Sequence, residues 1–254
     1  MKEFFGFGGY TREPEGYMSW QHLAFVTGLM IVMTLLAILL GKKAKNKNKP
    51  LIWAAILIDS IELFKIVMMC LRAKDPMGWT GELPLFLCSI QLITIPLAAF
   101  SSGRVKEAAM DFVCIFGILG AVLGTYAAGQ NYAAYPVLSL DNVASGITHS
   151  ISGFVSLYIL ISGQASMKKK NIGITFAILL FFCVAAYIAN IFTDANYMFL
   201  LRGDGTPYDI VFNMVGGNKI AYPLMVVGLF LVYIVLYYGI FFLIRSRKKV
   251  KTAA

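Results

Sequence analysis

The chain has few charged residues and few of the side chains that usually bind metals. Only 14% of its 254 residues are Asp, Glu, Lys or Arg, and it contains two histidines and four cysteines. The cysteines form no CxxC pair or ordered spacing, so the sequence predicts free thiols at Cys70, Cys88, Cys114 and Cys183. This pattern predicts no disulfide framework, no metal site and no cofactor. No internal repeat or low-complexity tract interrupts the chain.

Long apolar runs are the main feature of the sequence. Hydrophobic residues make up 59% of the chain, and the mean hydropathy is +0.74. Several runs are long enough to cross a hydrocarbon core about 30 Å thick. The sequence therefore predicts an all-α polytopic membrane protein with a single domain over residues 1–254. We predict seven transmembrane helices, approximately at residues 20–40, 51–71, 83–100, 108–128, 144–162, 172–193 and 220–244.

Positive charges alternate between the predicted loops. Lys and Arg are concentrated after helices one, three, five and seven, the last cluster lying at residues 245–251, whereas most acidic residues lie on the other side. The positive-inside rule then places the N-terminus outside and the C-terminus in the cytoplasm, and it favours an odd number of helices. The net charge of +9 thus reflects orientation and not a nucleic-acid partner. We predict a multi-pass protein of the cell membrane, which in a bacterium is the plasma membrane.

A thiol and an imidazole lie at similar depths in two predicted helices. Cys88 and His149 both lie roughly 7 Å below the outer end of their helix at the rise of an α-helix. A Cys with a His base is a nucleophile, and a buried thiol needs such a base because burial disfavours the thiolate. Spacing does not tell which way two helices face, so packing roles stay open. Nearby side chains are able to hydrogen-bond an oxyanion: Ser89, Gln91, Thr148, Ser150 and Ser152.

Predicted helix two carries three charged residues, Asp59, Glu62 and Lys65, within an apolar run. Charges at such a depth are costly unless they are paired, and Glu62 and Lys65 are neighbours on one helix face. Lys65 lies roughly 21 Å from the inner end, close to the level of Cys88, where it is able to hold a phosphate. Two interpretations stay open: a buried ion pair that fixes packing, and a site for proton movement or head-group binding.

Several short motifs occur in order along nearly the whole chain. They are SWQHL at 19–23, LPLFLCS at 83–89, TH at 148–149, ANYMFL at 195–200 after Asn190, and an acidic, aromatic stretch at 209–223. Together they resemble the YwaF-type family of bacterial integral membrane proteins, related to the transmembrane protein 164 acyltransferase. The chain departs from that family at Phe86, where many members have a His, and at residues 124–129, where a Leu-Pro stretch is usual.

The resemblance implies acyl chemistry on lipids. In the eukaryotic relative a Cys nucleophile and a His move a fatty acyl chain between phospholipids, and these roles map onto Cys88 and His149. The more distant androgen-induced hydrolases are similar in using a Thr and a His within the membrane. The implied partners are a phospholipid or lipoprotein acyl donor and an acyl acceptor. Asn190, in the same signature, is a supporting residue by this resemblance.

Three further candidates have two interpretations each. His22, at the end of helix one, either orients a head group or lies unpaired at the interface. Asn196 and Tyr197 either cap the site from the outer loop or shape that loop.

Other classes of function compete with acyl transfer. With water as the acceptor, the enzyme is a lipid hydrolase. The rival class is a small-solute or proton-coupled transporter that uses Asp59, Glu62 and Lys65, although the two related halves typical of many transporters are not found in the sequence. A non-catalytic membrane scaffold is the third possibility.

Overall fold

The computed structural model describes residues 2–253, with side chains for residues 3–246. Over this range the protein is all-helical, with 73% of residues in helices and no strand, which confirms the predicted all-α class. The side chains at 247–251, which belong to the last predicted basic cluster, lie outside those described. The chain divides into two compact units, Met1–Ala165 and Ser166–Ala254.

The described part of the first unit contains seven α-helices. Their bounds are α1 (Lys2–Phe5), α2 (Trp20–Lys43), α3 (Lys49–Ala73), α4 (Gln91–Phe100), α5 (Gly103–Tyr126), α6 (Gly129–Ala134) and α7 (Leu140–Ile161). A short 3-10 helix, Gly78–Gly81, lies between α3 and α4.

Helices α5 and α7 form the centre of this unit, where each packs against the other and against α2, α3 or α4. Small residues allow the close approach, as at Gly117, where an added Cβ would lie 2.7 Å from the Ser152 carbonyl oxygen. The Ser156 hydroxyl donates to the carbonyl oxygen of Cys114 at 2.8 Å. Such small and hydroxyl-bearing interfaces are typical of membrane helices, where lipid offers no hydrophobic drive for association.

The second unit contains α8 (Ile172–Phe192), α9 (Tyr208–Met214) and α10 (Ala221–Ala253). Within it α8 packs on α10, and the hydroxyls of Thr175 and Tyr238 lie 3.2 Å apart. A 3-10 turn, Tyr197–Phe199, follows α8 and packs back onto it.

In the described part of the chain, five helical segments are long and apolar enough to cross a membrane: Trp20–Lys43, Gly103–Ala134, Leu140–Ile161, Lys169–Phe192 and Ala221–Ser246. The second of them combines α5 with α6, and the fourth adds the 3-10 turn Lys169–Asn171 to α8. Helix α3 overlaps predicted helix two and has 25 residues, but it carries the charged residues noted above. Helix α4 has 10 residues, or about 15 Å, which is half of the hydrocarbon thickness.

The predicted start of helix three at residue 83 is corrected by the structure. Residues 83–90 form successive turns, and α4 begins at Gln91. Cys88 therefore lies three residues before the helix, whereas the prediction placed it one turn inside. Pro84 favours this irregular start, since it lacks an N–H and restricts the residue before it. Non-helical backbone at membrane depth is tolerated where it is buried in protein or lines a cavity.

The N-terminal segment is attached to the C-terminal end of α3 and the N-terminal end of α7. The Asp141 carboxylate accepts hydrogen bonds from Arg72 Nη1 at 2.6 Å, Arg72 Nη2 at 2.9 Å and the Tyr10 hydroxyl at 2.7 Å. Burial and the adjacent carboxylate raise the pKa of Tyr10, so its hydroxyl keeps the donated proton. A second contact joins the Val137 N–H to the Glu15 carboxylate at 2.7 Å.

Candidate functional site

A small cavity in the first unit contains the predicted thiol and imidazole. Its volume is about 60 Å³, which holds a few waters or one reacting group but not a whole lipid. The lining comes from α3, α7 and the chain around the start of α4: Ile58, Glu62, Lys65, Glu82, Cys88, Ser89, Leu92, Ser145, Thr148, His149 and Ser152. The fold thus brings together seven of the residues singled out in the sequence: Cys88, His149, Ser89, Thr148, Ser152, Glu62 and Lys65.

The tautomer of His149 follows from its hydrogen bond. Its Nδ1 lies 2.7 Å from the carbonyl oxygen of Ser145, one turn earlier in α7. A carbonyl only accepts, so Nδ1 carries the proton and the neutral ring presents a lone pair at Nε2. That Nε2 is buried and makes no hydrogen bond with a nitrogen or oxygen atom of the described residues. The Cys88 thiol interacts electrostatically with the imidazole. An oriented His with a free acceptor nitrogen beside a thiol is the arrangement of a general base and its nucleophile.

Cys88 occupies the turn that leads into α4. Its carbonyl oxygen accepts from the Gln91 N–H at 3.3 Å, and that of Ser89 accepts from the Leu92 N–H at 3.0 Å. The N–H groups of Cys88 and Ser89 donate to no main-chain carbonyl in the described part of the chain. The positive end of the helix dipole and these N–H groups favour negative charge at this position.

Two glycines of α5 make room for the thiol and the imidazole. A Cβ added at Gly124 would lie 2.0 Å from His149 Cδ2 and 2.1 Å from Nε2. One added at Gly120 would lie 3.3 Å from the Cβ of Cys88. Residues four apart lie on one helix face, so this face of α5 forms a wall behind both groups. Neither glycine was predicted to belong to the site, although the small-xxx-small spacing of 120 and 124 is a signal for close helix contact.

Lys65 is paired with two carboxylates. Its Nζ lies 2.7 Å from Glu62 Oε1 and 2.9 Å from Glu82 Oε2. The side chains of Lys65 and Glu62 are 14% and 12% exposed, so the pair is largely desolvated. The three groups carry a formal net charge of −1, which disfavours the binding of a phosphate at Lys65. Glu82 was not predicted because it precedes the predicted helix three.

Asp59 and Gln91 do not line the cavity. Asp59 is exposed on α3. Gln91 is fully buried at the start of α4, where its Oε1 accepts from the Thr94 hydroxyl at 3.1 Å. Its Nε2 makes no hydrogen bond with the described residues.

His22 is neither exposed nor unpaired. It is fully buried, its Nδ1 accepts from the Met18 N–H at 3.2 Å, and its Nε2 donates to the Thr125 carbonyl oxygen at 3.1 Å. The imidazole packs against Tyr132 with ring centroids 3.8 Å apart and the ring planes tilted by 33°. The Nε2 bond joins α2 to α5, the Nδ1 bond holds the turn before α2, and His22 does not line the cavity.

We expect His22→Ala to lower the free energy of unfolding by about 3 kcal/mol, because it removes one buried and one partly buried hydrogen bond together with the ring packing. An SDS titration of the purified protein in mixed micelles measures the change. His22→Gln, which keeps a donor and an acceptor, is the matched control and is expected to lose less. A His22→Ala protein of unchanged stability that has lost activity would instead assign His22 to substrate binding.

Asn190, Asn196 and Tyr197 lie together in the second unit. Asn190 accepts from the Tyr197 N–H at 2.7 Å and donates to its carbonyl oxygen at 3.1 Å. Asn196 accepts from the Leu201 N–H at 3.0 Å, and its Nδ2 donates to the Arg202 carbonyl oxygen at 2.7 Å. The two amides therefore hold the loop after α8 in one conformation, which favours the loop-shaping interpretation.

No group of three His, Cys, Asp or Glu side chains in the described part of the chain is placed to hold a metal ion. No curated protein and no solved structure matches the chain. The model of the TMEM164 family matches residues 17–245. Together with the five apolar helices, this match supports a multi-pass membrane protein. Since the matched region is most of the sequence, the chain belongs to the TMEM164 family.

Proposed function

We propose that this protein is an integral membrane acyltransferase in which Cys88 carries the acyl chain as a thioester and His149 is the general base. The observation that supports it is the pairing of a thiol with an imidazole whose Nδ1 is bound to the Ser145 carbonyl, leaving the Nε2 lone pair in the cavity. The backbone carbonyl has the orienting role that an Asp or Asn has in other nucleophile and His pairs.

In the first half-reaction, His149 Nε2 takes the proton of the Cys88 thiol. The thiolate attacks the carbonyl carbon of a phospholipid or lipoprotein ester, and the resulting oxyanion is stabilised by the N–H groups of Cys88 and Ser89. The ester C–O bond then breaks, and the departing alcohol oxygen receives the proton from Nε2. The products are an acyl thioester and a lysolipid.

In the second half-reaction, an acceptor hydroxyl gives its proton to Nε2 and attacks the thioester carbon. The C–S bond breaks, and the Cys88 thiolate regains the proton from His149. With water in place of the acceptor hydroxyl, the same steps make the protein a lipid hydrolase. The cavity of about 60 Å³ fits an ester group alone, so the chains and head groups of donor and acceptor would lie outside it.

The proposal includes a membrane topology of seven spans in a single domain. Five of the spans are the long apolar helices. The sixth is α3, in which the charge of Lys65 is balanced by two carboxylates, and the seventh is α4 together with the turns before it. The charge pattern of the loops puts the N-terminus outside and the C-terminus in the cytoplasm. The motif resemblance points to the YwaF-type branch, and so to a bacterial plasma membrane.

We expect purified wild-type protein incubated with phospholipid to acquire a hydroxylamine-sensitive acyl adduct, and the Cys88→Ser and His149→Ala variants to acquire none. Intact mass spectrometry after denaturation detects the adduct, and its mass identifies the donor chain. Cys114→Ser, at a buried packing position, is the matched control and is expected to keep the adduct. Unmodified wild-type protein with unchanged lipids, tested across several donors, would disprove acyl transfer.

The alternative is a small-solute or proton-coupled transporter that uses the charges of α3. This alternative is supported by the cluster of Glu62, Lys65 and Glu82 at the cavity. The same Cys88→Ser variant separates the two, because the loss of a thiol ends acyl transfer and leaves charge-dependent transport largely intact.

A further inference from the structure

A second, larger cavity lies wholly within the second unit. It is an open groove of about 390 Å³ between α8 and α10, within the size range of small-molecule sites. Among the described residues that line it, Lys219 is the only charged one, and the others are apolar or aromatic.

The groove follows the axes of its two helices. On α8 it is lined by Leu180, Val184 and Ile188, which recur every four residues and so share one face. On α10 it is lined by Leu224 and Val227. The stretch on α8 corresponds to about 12 Å of helix. The apolar part of the groove is therefore as long as a substantial part of an extended acyl chain.

The charged residue, Lys219, lies at one end of this groove. Lys219 is exposed just before α10 begins, at the end where α8 approaches its C-terminus. It forms no ion pair within the part of the chain that the structure describes. The ammonium group is a compact donor that binds phosphate as a point charge.

We propose that this groove binds one phospholipid, with an acyl chain along α8 and α10 and the phosphate at Lys219. Bulk lipid is as apolar as the groove, so hydrophobic transfer adds little, and shape and charge must provide the preference for a bound lipid. The lining matches one extended chain below one anionic group. This site is separate from the Cys88 cavity and does not depend on acyl transfer.

The test uses the full-length protein in detergent with a phosphatidylglycerol that carries a diazirine in its acyl chain. After irradiation, peptide mapping is expected to place the label on residues 180–188 and 220–227. Val184→Trp, which fills the groove, should reduce labelling there to background. Lys219→Gln should weaken labelling about fivefold, since one Lys near an anionic lipid contributes about that factor.

Matched controls are Val235→Trp, also exposed on α10 but outside the groove, and Lys170→Gln, an exposed cation outside the groove. Both are expected to label as the wild type does. Cys88→Ser should also label normally, so failure of acyl transfer and failure of this proposal are distinguishable. Label spread evenly over the exposed faces and unaffected by Val184→Trp would mean annular lipid only and would overturn the site. Photo-crosslinks from a diazirine-bearing residue at position 184 to a second copy of the protein would also overturn the lipid site, because the groove would then be a protein interface.

Discussion

Replacing Gly124 with Ala is expected to reduce acyl transfer at least about a hundredfold while the protein stays folded. The added Cβ would lie 2.0 Å from His149 Cδ2, a distance that real Cβ contacts do not show. The clashing atoms belong to the end of a side chain, so the imidazole can rotate away without a shift of the backbone. Rotation breaks the alignment of Nε2 with the Cys88 thiol, and the base is lost.

Formation of the acyl adduct on Cys88 and the thermal unfolding midpoint, measured on the same preparation, test this prediction. Gly120→Ala is a graded control, since its Cβ would lie 3.3 Å from Cys88 Cβ and needs only a small adjustment. Gly28→Ala is a neutral one, because nothing lies within 4 Å of the added atom. A Gly124→Ala protein with the wild-type rate would show that His149 is not needed in this position.

Removing Lys65 alone is expected to destabilise the protein by about 3 kcal/mol. Lys65→Leu leaves Glu62 and Glu82 facing each other without a cation, and Glu62 is only 12% exposed. Desolvated carboxylates without a counter-charge are more costly than the intact cluster. SDS titration in mixed micelles measures the loss, and Lys65→Arg is the conservative control.

A triple variant, Glu62→Leu with Lys65→Leu and Glu82→Leu, decides what the cluster is for. Buried ion clusters replaced entirely by apolar residues are often close to neutral in stability. We therefore expect the triple variant to be more stable than Lys65→Leu. If it also forms the acyl adduct at the wild-type rate, the cluster serves packing; if it is stable but inactive, the cluster acts on the substrate. A triple variant that is less stable than the single one would contradict this account of Lys65.

Helix existence was predictable from the sequence, but some boundaries were not. The apolar runs overlap α2, α3, α5, α7, α8 and α10, because an uninterrupted run of about twenty apolar residues has few other stable structures in a membrane. The start of α4 was missed because the turns over 83–90 are as apolar as the helix that follows. Hydropathy does not distinguish helical from non-helical backbone when both are buried.

The candidate site was predictable in part. Depth counting placed Cys88, His149 and Lys65 at one level, and the cavity lining includes all three. It did not reveal that Glu82 completes the charge cluster or that Gly124 makes room for the imidazole. Both depend on contacts between segments distant in the chain. Nor did it separate His22, which is bonded to Thr125 in another helix, from residues of the site.

The sequence by itself determined the all-α class, the membrane environment and the residue types available for chemistry, because these follow from composition and local periodicity. Only the tertiary structure decided which of those residues meet. The pairing of Lys65 with Glu82, the room that Gly124 leaves for His149 and the groove between α8 and α10 each depend on the facing of helices or the path of the backbone. Which side of one helix faces another is decided by packing between segments distant in the chain, at positions such as Gly117 and Gly124. No single segment carries that information.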